Sequence, residues 1–325
     1  MARTVLDRLP PLATTGVGSL PFVEAGPAAR HAVRAYDVPF CPQLPALDGD
    51  MIREWLGADA RRCGWTADRD RERPVAWDAF LAELRMRPPA HRTVKLQVTG
   101  PVTLAVALER EAGRLGVGAV ILGLAREIAG WVAANASSQI RVLRDAGFSV
   151  LLVVDEPGLA YAGVRPADAD VWDPLRATGA AAWGMHVCGA VPWSLVHAAR
   201  PDVVSFDASR YGLDATGRAT LTALVRGGVR VAWGVVDPTE PGGAAPAAGR
   251  AAACIAALAG GSWSPQDVAA RSLLTPGCGT GRLSATREHL VAAVLAASAT
   301  ATAGALAAVP IPEPDAAPLV PRKAR

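Results

Sequence analysis

Aromatic residues are scarce in this 325-residue chain, at 5%, although 51% of it is hydrophobic. Ala, Val and Leu must therefore fill the interior. Cysteine is sparse too. Five residues, an odd count, exclude a small disulfide-stapled fold and favour metal or thiol chemistry. No single sign of charge dominates: 33 basic and 30 acidic residues leave a net +3. The basic runs Arg61–Arg62 and Arg69–Arg73 alternate with acids, as solvated faces do, and give no nucleic-acid patch. Met1–Pro10 is charged and lacks the apolar core of a signal peptide. The longest apolar runs are Gly116–Leu124 and Leu290–Val309. The second approaches spanning length, but it carries Ser and Thr and reads as a barrel-closing helix. A soluble cytoplasmic protein with no nucleic-acid or membrane partner is expected. Gly16-Val17-Gly18-Ser19 lacks the spacing of a nucleotide loop, and no Walker motif occurs.

Eight β-rich runs are present: Thr14–Gly18, Val38–Gln43, Val94–Thr99, Ser149–Asp155, Ala181–Cys188, Val203–Asp207, Arg230–Asp237 and Ser272–Cys278. Helical stretches separate them, clearest over Leu115–Ala146, which stops at Gly147. Others are Ala167–Thr178, Pro192–Ala199, Gly212–Arg226 and Gly243–Ala259. Strands alternating with helices imply parallel βαβ units. Eight of them predict a single α/β domain, a (β/α)8 TIM-type barrel over 1–309. Leu47–Ala90 forms an insertion after the second strand, holding Trp55, Cys63, Trp65 and Trp77. From Pro310 the chain is Pro-rich and charged, which predicts a disordered tail over 310–325.

Such barrels place their chemistry at the C-terminal strand ends. Those ends here carry Ser19, Asp155-Glu156, His186-Val187-Cys188, Asp207, Asp237 and Cys278. His186 and Cys188 are two apart on a strand and face the same way. With Cys278 they make a zinc set of two thiolates and one imidazole. The fourth position is open to water, substrate or a carboxylate, and Asp207 could fill it. Zinc with these three ligands is formally neutral. It can take a substrate thiol and lower its pKa from ~8.5, giving the nucleophile that an alkyl transfer needs. Against this, a lone His-x-Cys is ordinarily structural and buried Cys often acts as a small hydrophobe. Cys41, Cys63 and Cys254 are read as packing residues, and His31, His91, His197 and His289 as surface or capping residues. Asp155 ends a strongly apolar strand and is read either as the anchor of a cationic amino group or as a salt bridge to a neighbouring strand or a helix cap. Asp155 and Asp237 are the candidate catalytic acids.

These residues resemble the C-terminal catalytic barrel of cobalamin-independent methionine synthase, a relative of the uroporphyrinogen decarboxylase-like barrels. The resemblance runs from about Thr14 to Gly281. Its anchors are Thr14-Thr15-Gly16-Val17-Gly18-Ser19-Leu20-Pro21, Gly49-Asp50-Met51, Thr99-Gly100-Pro101-Val102-Thr103, Asp155-Glu156-Pro157, His186-Val187-Cys188, Asp207-Ala208-Ser209-Arg210 and Pro276-Gly277-Cys278-Gly279. It implies Zn2+ on His186, Cys188 and Cys278, with Asp207 in the place of the family's Glu, one methylene short. It implies homocysteine against Val17, Gly18 and Ser19, with its amino group on Asp155 and Glu156 beside it.

The departures are as informative. Thr239 stands where the family carries its proton-donating His, Tyr161 where it has a second acid, and Leu104–Glu109 lacks the Trp that helps hold folate. Set against that family, the thiol-activating half reads as kept and the folate half as lost. The expectation is a thiol methyltransferase, taking its methyl from a methylcorrinoid, free or on a corrinoid protein, and passing it to homocysteine to give methionine. An alkyltransferase or lyase on another thiol, such as a coenzyme thiol, and a non-catalytic zinc-stabilised binding barrel stay open as alternatives.

Overall fold

The computed structural model describes residues 5–47, 49–56, 73–111, 113 and 119–308. Seven strands form one curled, all-parallel sheet: β1 (Ala13–Thr14), β2 (Thr93–Thr99), β3 (Ser149–Asp155), β4 (Ala182–Val187), β5 (Val203–Phe206), β6 (Arg230–Val236) and β7 (Ser272–Pro276). Their order is β1-β7-β6-β5-β4-β3-β2, so β1 and β2 are the edges. Among the described residues the expected ladder of eight strands is therefore corrected to seven.

The missing strand is Val38–Gln43, which makes only single parallel bridges, Phe40 to Lys95 and Gln43 to Ser19. Its sequence explains why. Pro39 and Pro42 have no N–H to give, and a ladder cannot run through them. The segment still bonds to both edges: Val38 N donates to Thr14 O at 2.9 Å and Lys95 N to Pro39 O at 2.8 Å.

The strands bury both faces, as parallel strands must. Val94, Leu96 and Val98 of β2 and Val150, Leu152 and Val154 of β3 pack outward against the helices. Leu151, Val153, Ala182, Val203, Ala232 and Leu273 point into the curl, where Leu6 and Leu9 join them. Each buried Val or Leu among them contributes about 1.5–3 kcal/mol relative to exposure. This two-residue alternation decides what faces inward nearer the C-terminal ends. It puts Lys95, Gln97 and Thr99 on the inner row of β2, Asp155 on that of β3 and His186 on that of β4.

The expected helices form over Ala119–Asp145, Trp193–Ala199, Ala215–Arg226 and Ala244–Leu258. The stretch 167–178 splits into a 3-10 turn, Pro166–Trp172, and a short helix, Asp173–Arg176. Pro166 and Pro174 set the start of each. Ala285–Ala307 is long and apolar enough to cross a membrane by length and composition. Here it packs on Ala244–Leu258 and on β7. The insertion contributes helices Arg53–Leu56 and Trp77–Met86. Cys63, Trp65 and the Pro-rich tail lie outside the described residues.

Candidate active site

A cavity of about 490 Å3 opens at the C-terminal ends of the strands. Val17 and Ser19 line one wall, His186, Cys188 and Cys278 another, and Asp155, Asp207 and Asp237 complete it. Two predicted site residues do not reach it. Gly18 backs onto the Gln97 side chain. Glu156 is wholly buried, with both oxygens taken: it accepts from Val102 N at 3.2 Å, Thr103 N at 2.8 Å, Thr103 Oγ1 at 2.7 Å and Trp172 Nε1 at 2.9 Å. It caps the helix Pro101–Glu111, a stabilising place for a carboxylate. Gly100 is required there, because a Cβ would strike the Glu156 carboxyl. Its expected place beside the substrate is thereby corrected.

Asp155 is the opposite case. It is buried, and its Oδ1 has no hydrogen-bond partner. Burial pushes its pKa up to about 7, Lys95 pulls it down, and Cys278 and Glu156 push it further up. Sequence reasoning passed over Lys95. Apart from Lys323 in the tail it is the chain's only lysine, amid 31 arginines (33 basic residues less two lysines). Its ammonium sits inside the curl and donates to Gly16 O at 3.0 Å and to Val17 O. Burial lowers its pKa to about 8, against the pull of Asp155. Lys95 thus balances Asp155 and holds the Val17–Ser19 segment from below. The signal was present in the sequence: Lys95, Gln97 and Thr99 form a polar inner row in an otherwise apolar strand.

His186 lies beside Asp155 in the β3–β4 register and beside Ser205 in that of β4–β5. Its Nδ1 is 2.8 Å from Ser205 Oγ, while Nε2 is buried and without a partner. Burial, aided by Lys95, lowers its pKa to about 3. The ring is a neutral base, held on one nitrogen with the other bare, as a metal-binding imidazole is held. Ser205 is a second residue that sequence reasoning missed. Cys188 and Cys278 hydrogen-bond to each other, which raises the pKa of Cys188 and lowers that of Cys278 to about 7. One proton shared by two thiols gives Cys278 thiolate character near neutrality.

These donors match zinc by type: one bare imidazole nitrogen and two thiols on one cavity. As placed, no three His, Cys, Asp or Glu side chains converge to hold an ion among the described residues. Asp207 serves elsewhere, its Oδ1 accepting from Ser209 Oγ at 2.6 Å and Arg210 N at 3.1 Å at a helix start. Asp237 holds its own loop: Oδ1 accepts from Thr239 N at 2.8 Å and Thr239 Oγ1 at 2.7 Å. Burial raises its pKa, but these bonds and Arg210 outweigh that and hold it below the usual range.

No family model and no curated protein matches the chain. Among solved structures it is similar to a methyltransferase from Methanosarcina mazei, at 14% identity over 90% of this chain and 96% of that one, with a TM-score of 0.56. It is also similar to a B12-independent methionine synthase from Shewanella sp. W3-18-1 in complex with selenomethionine, at 15% identity over 71% of this chain and 68% of that one, with a TM-score of 0.47. The first likeness establishes a shared fold; the second is too loose to carry an argument.

Proposed function

We propose that this chain is a zinc-dependent thiol methyltransferase that moves a methyl group to a small amino-bearing thiol, homocysteine first among them. The observation that carries this is the bare, buried Nε2 of His186 on the same cavity as the Cys188–Cys278 pair. A neutral imidazole with no partner is costly to bury unless a ligand completes it. His186, Cys188 and Cys278 would hold the ion, which supplies the Lewis acidity that lets a thiol lose its proton near neutral pH. On this reading the eighth stave of a closed (β/α)8 barrel is segment 38–43.

The chain's own residues do the rest. Ser205 fixes the imidazole so that Nε2 faces the cavity. Asp155 offers its unpartnered Oδ1 to the substrate's ammonium, which favours the ionised carboxyl. Lys95 holds the Val17–Ser19 backbone against which the rest of the substrate lies. The substrate sulfur then forms the S–CH3 bond as the carbon–donor bond breaks, and the bonding pair leaves with the donor. His186 is the sole imidazole among the described residues lining the cavity. No imidazole is left over to protonate a leaving amine. A methylcorrinoid, whose leaving group needs no proton, therefore suits the site better than a folate.

The test is zinc content in the wild type and in Cys188→Ser and Cys278→Ser variants, followed by titration with homocysteine. About one zinc per wild-type chain, lost in both variants, with protons released on adding homocysteine, is the expected result. Zinc retained by both variants, or none in the wild type, overturns the reading.

A further inference from the structure

One buried acid has no part in the chemistry above. Glu288, in the helix Ala285–Ala307, is wholly buried. A carboxylate so placed is tolerated only with its lone pairs satisfied. Its Oε1 accepts from Tyr36 Oη at 2.6 Å and lies 2.8 Å from His31 Nε2, and its Oε2 accepts from Thr280 Oγ1 at 2.5 Å. His31, expected at the surface or as a cap, has a side chain only 8% exposed, packed edge-on against His289 and Tyr36.

Thr280 links this cluster to the cavity. It lies two residues past Cys278. Its N–H donates to Ser19 O at 2.9 Å, and Gly281 N lies 3.4 Å from Ser19 Oγ. A Cβ on Gly279 would collide with Ser19 Oγ, so the loop lies flat on the Val17–Ser19 segment. Ser19 thus holds the Cys278 loop on one side and Glu288 holds it on the other.

We propose that Glu288 is a positioning residue for Cys278. Acting through Thr280, it fixes the loop that keeps this thiol against Cys188 and beside the Val17–Ser19 segment. His31, in the helix Ala25–Arg34, and Tyr36 just past its end anchor the same carboxylate. The proposal rests on Cys278 being a working thiol of the site, and on neither the metal nor the donor.

The test measures proximity. The full chain, stripped of metal with a chelator, is treated with diamide, which takes two electrons and two protons from a thiol pair to make a disulfide. Peptide mass mapping follows the Cys188–Cys278 bond, and thermal melting is recorded beside it. The wild type and Thr280→Ser form the bond at similar rates. Thr280→Val and Glu288→Gln form it about tenfold more slowly, because a thiol displaced by an ångström loses most of its effective concentration. A merely structural role would lower the melting temperature and leave the rate of a folded Thr280→Val at the wild-type value; that result overturns the proposal. So does a wild type that never forms the bond. If Glu288→Gln does not fold, the two Thr280 variants decide alone. No zinc or methyl donor enters the assay, so absence of zinc from the purified protein would leave this inference standing.

Discussion

Asp155 and Glu156 are neighbours in sequence, are both buried and both have raised pKa values, yet they do opposite work. Glu156 meets four donors from two other segments and is spent as structure. Asp155 faces the cavity with one oxygen unanswered. The difference comes from one step of backbone. Asp155 is the last inward residue of β3, continuing the row of Leu151 and Val153. Glu156 is past the strand and turned toward the start of the next helix out. Burial alone does not tell the two acids apart; the unanswered oxygen does.

Three variants bear on this comparison. Glu156→Gln acts at every pH, because an amide nitrogen cannot accept and would face buried donors. It should cost roughly 3 kcal/mol in urea or thermal unfolding; a loss below about 1 kcal/mol would erase the contrast. Asp155→Asn is read in the pH profile. The folded Asp155 titrates at about 7 against an ordinary 3.8. Between those values the fold keeps a proton that the unfolded chain has released. Wild-type stability should therefore fall as pH rises through that window, by an amount on the order of 2–4 kcal/mol relative to the non-titrating Asn variant. Parallel profiles from pH 4 to 7 would show that Asp155 is satisfied after all. Thr103→Val, which keeps the shape but removes one donor to Glu156 and the acceptor of Gly158 N, is the smallest change, costing about 1–2 kcal/mol.

Much of the site was legible because period-two alternation is local. His186 and Cys188 share a face by spacing alone, and Val17, Ser19, Asp155, Asp207, Asp237 and Cys278 come to the same cavity from their strand-end positions. What escaped depends on distant partners. The donors to Glu156 lie 53 and 54 residues before it and 16 after it. His31 finds its carboxylate 257 residues on. Nothing near either residue signals those meetings. The misread second strand was a different error: Val38, Phe40 and Cys41 have β propensity, but Pro39 and Pro42 already forbade the ladder. Lys95 was readable and was passed over, although a lone cation in an apolar strand asks for a reason.

The interrupted segment 38–43 also determines where the molecule yields. Between β2 and β3 pairing runs the full length of both strands, whereas this segment holds its neighbours by scattered single bonds. Local opening costs least where such bonds are fewest, so amide protons there exchange ahead of those in β2 to β4. The Val17–Ser19 wall leans on that yielding edge, while His186 is set in the middle of the continuous sheet. One wall of the cavity is thus carried by the sheet's interrupted edge and the imidazole by its continuously paired middle.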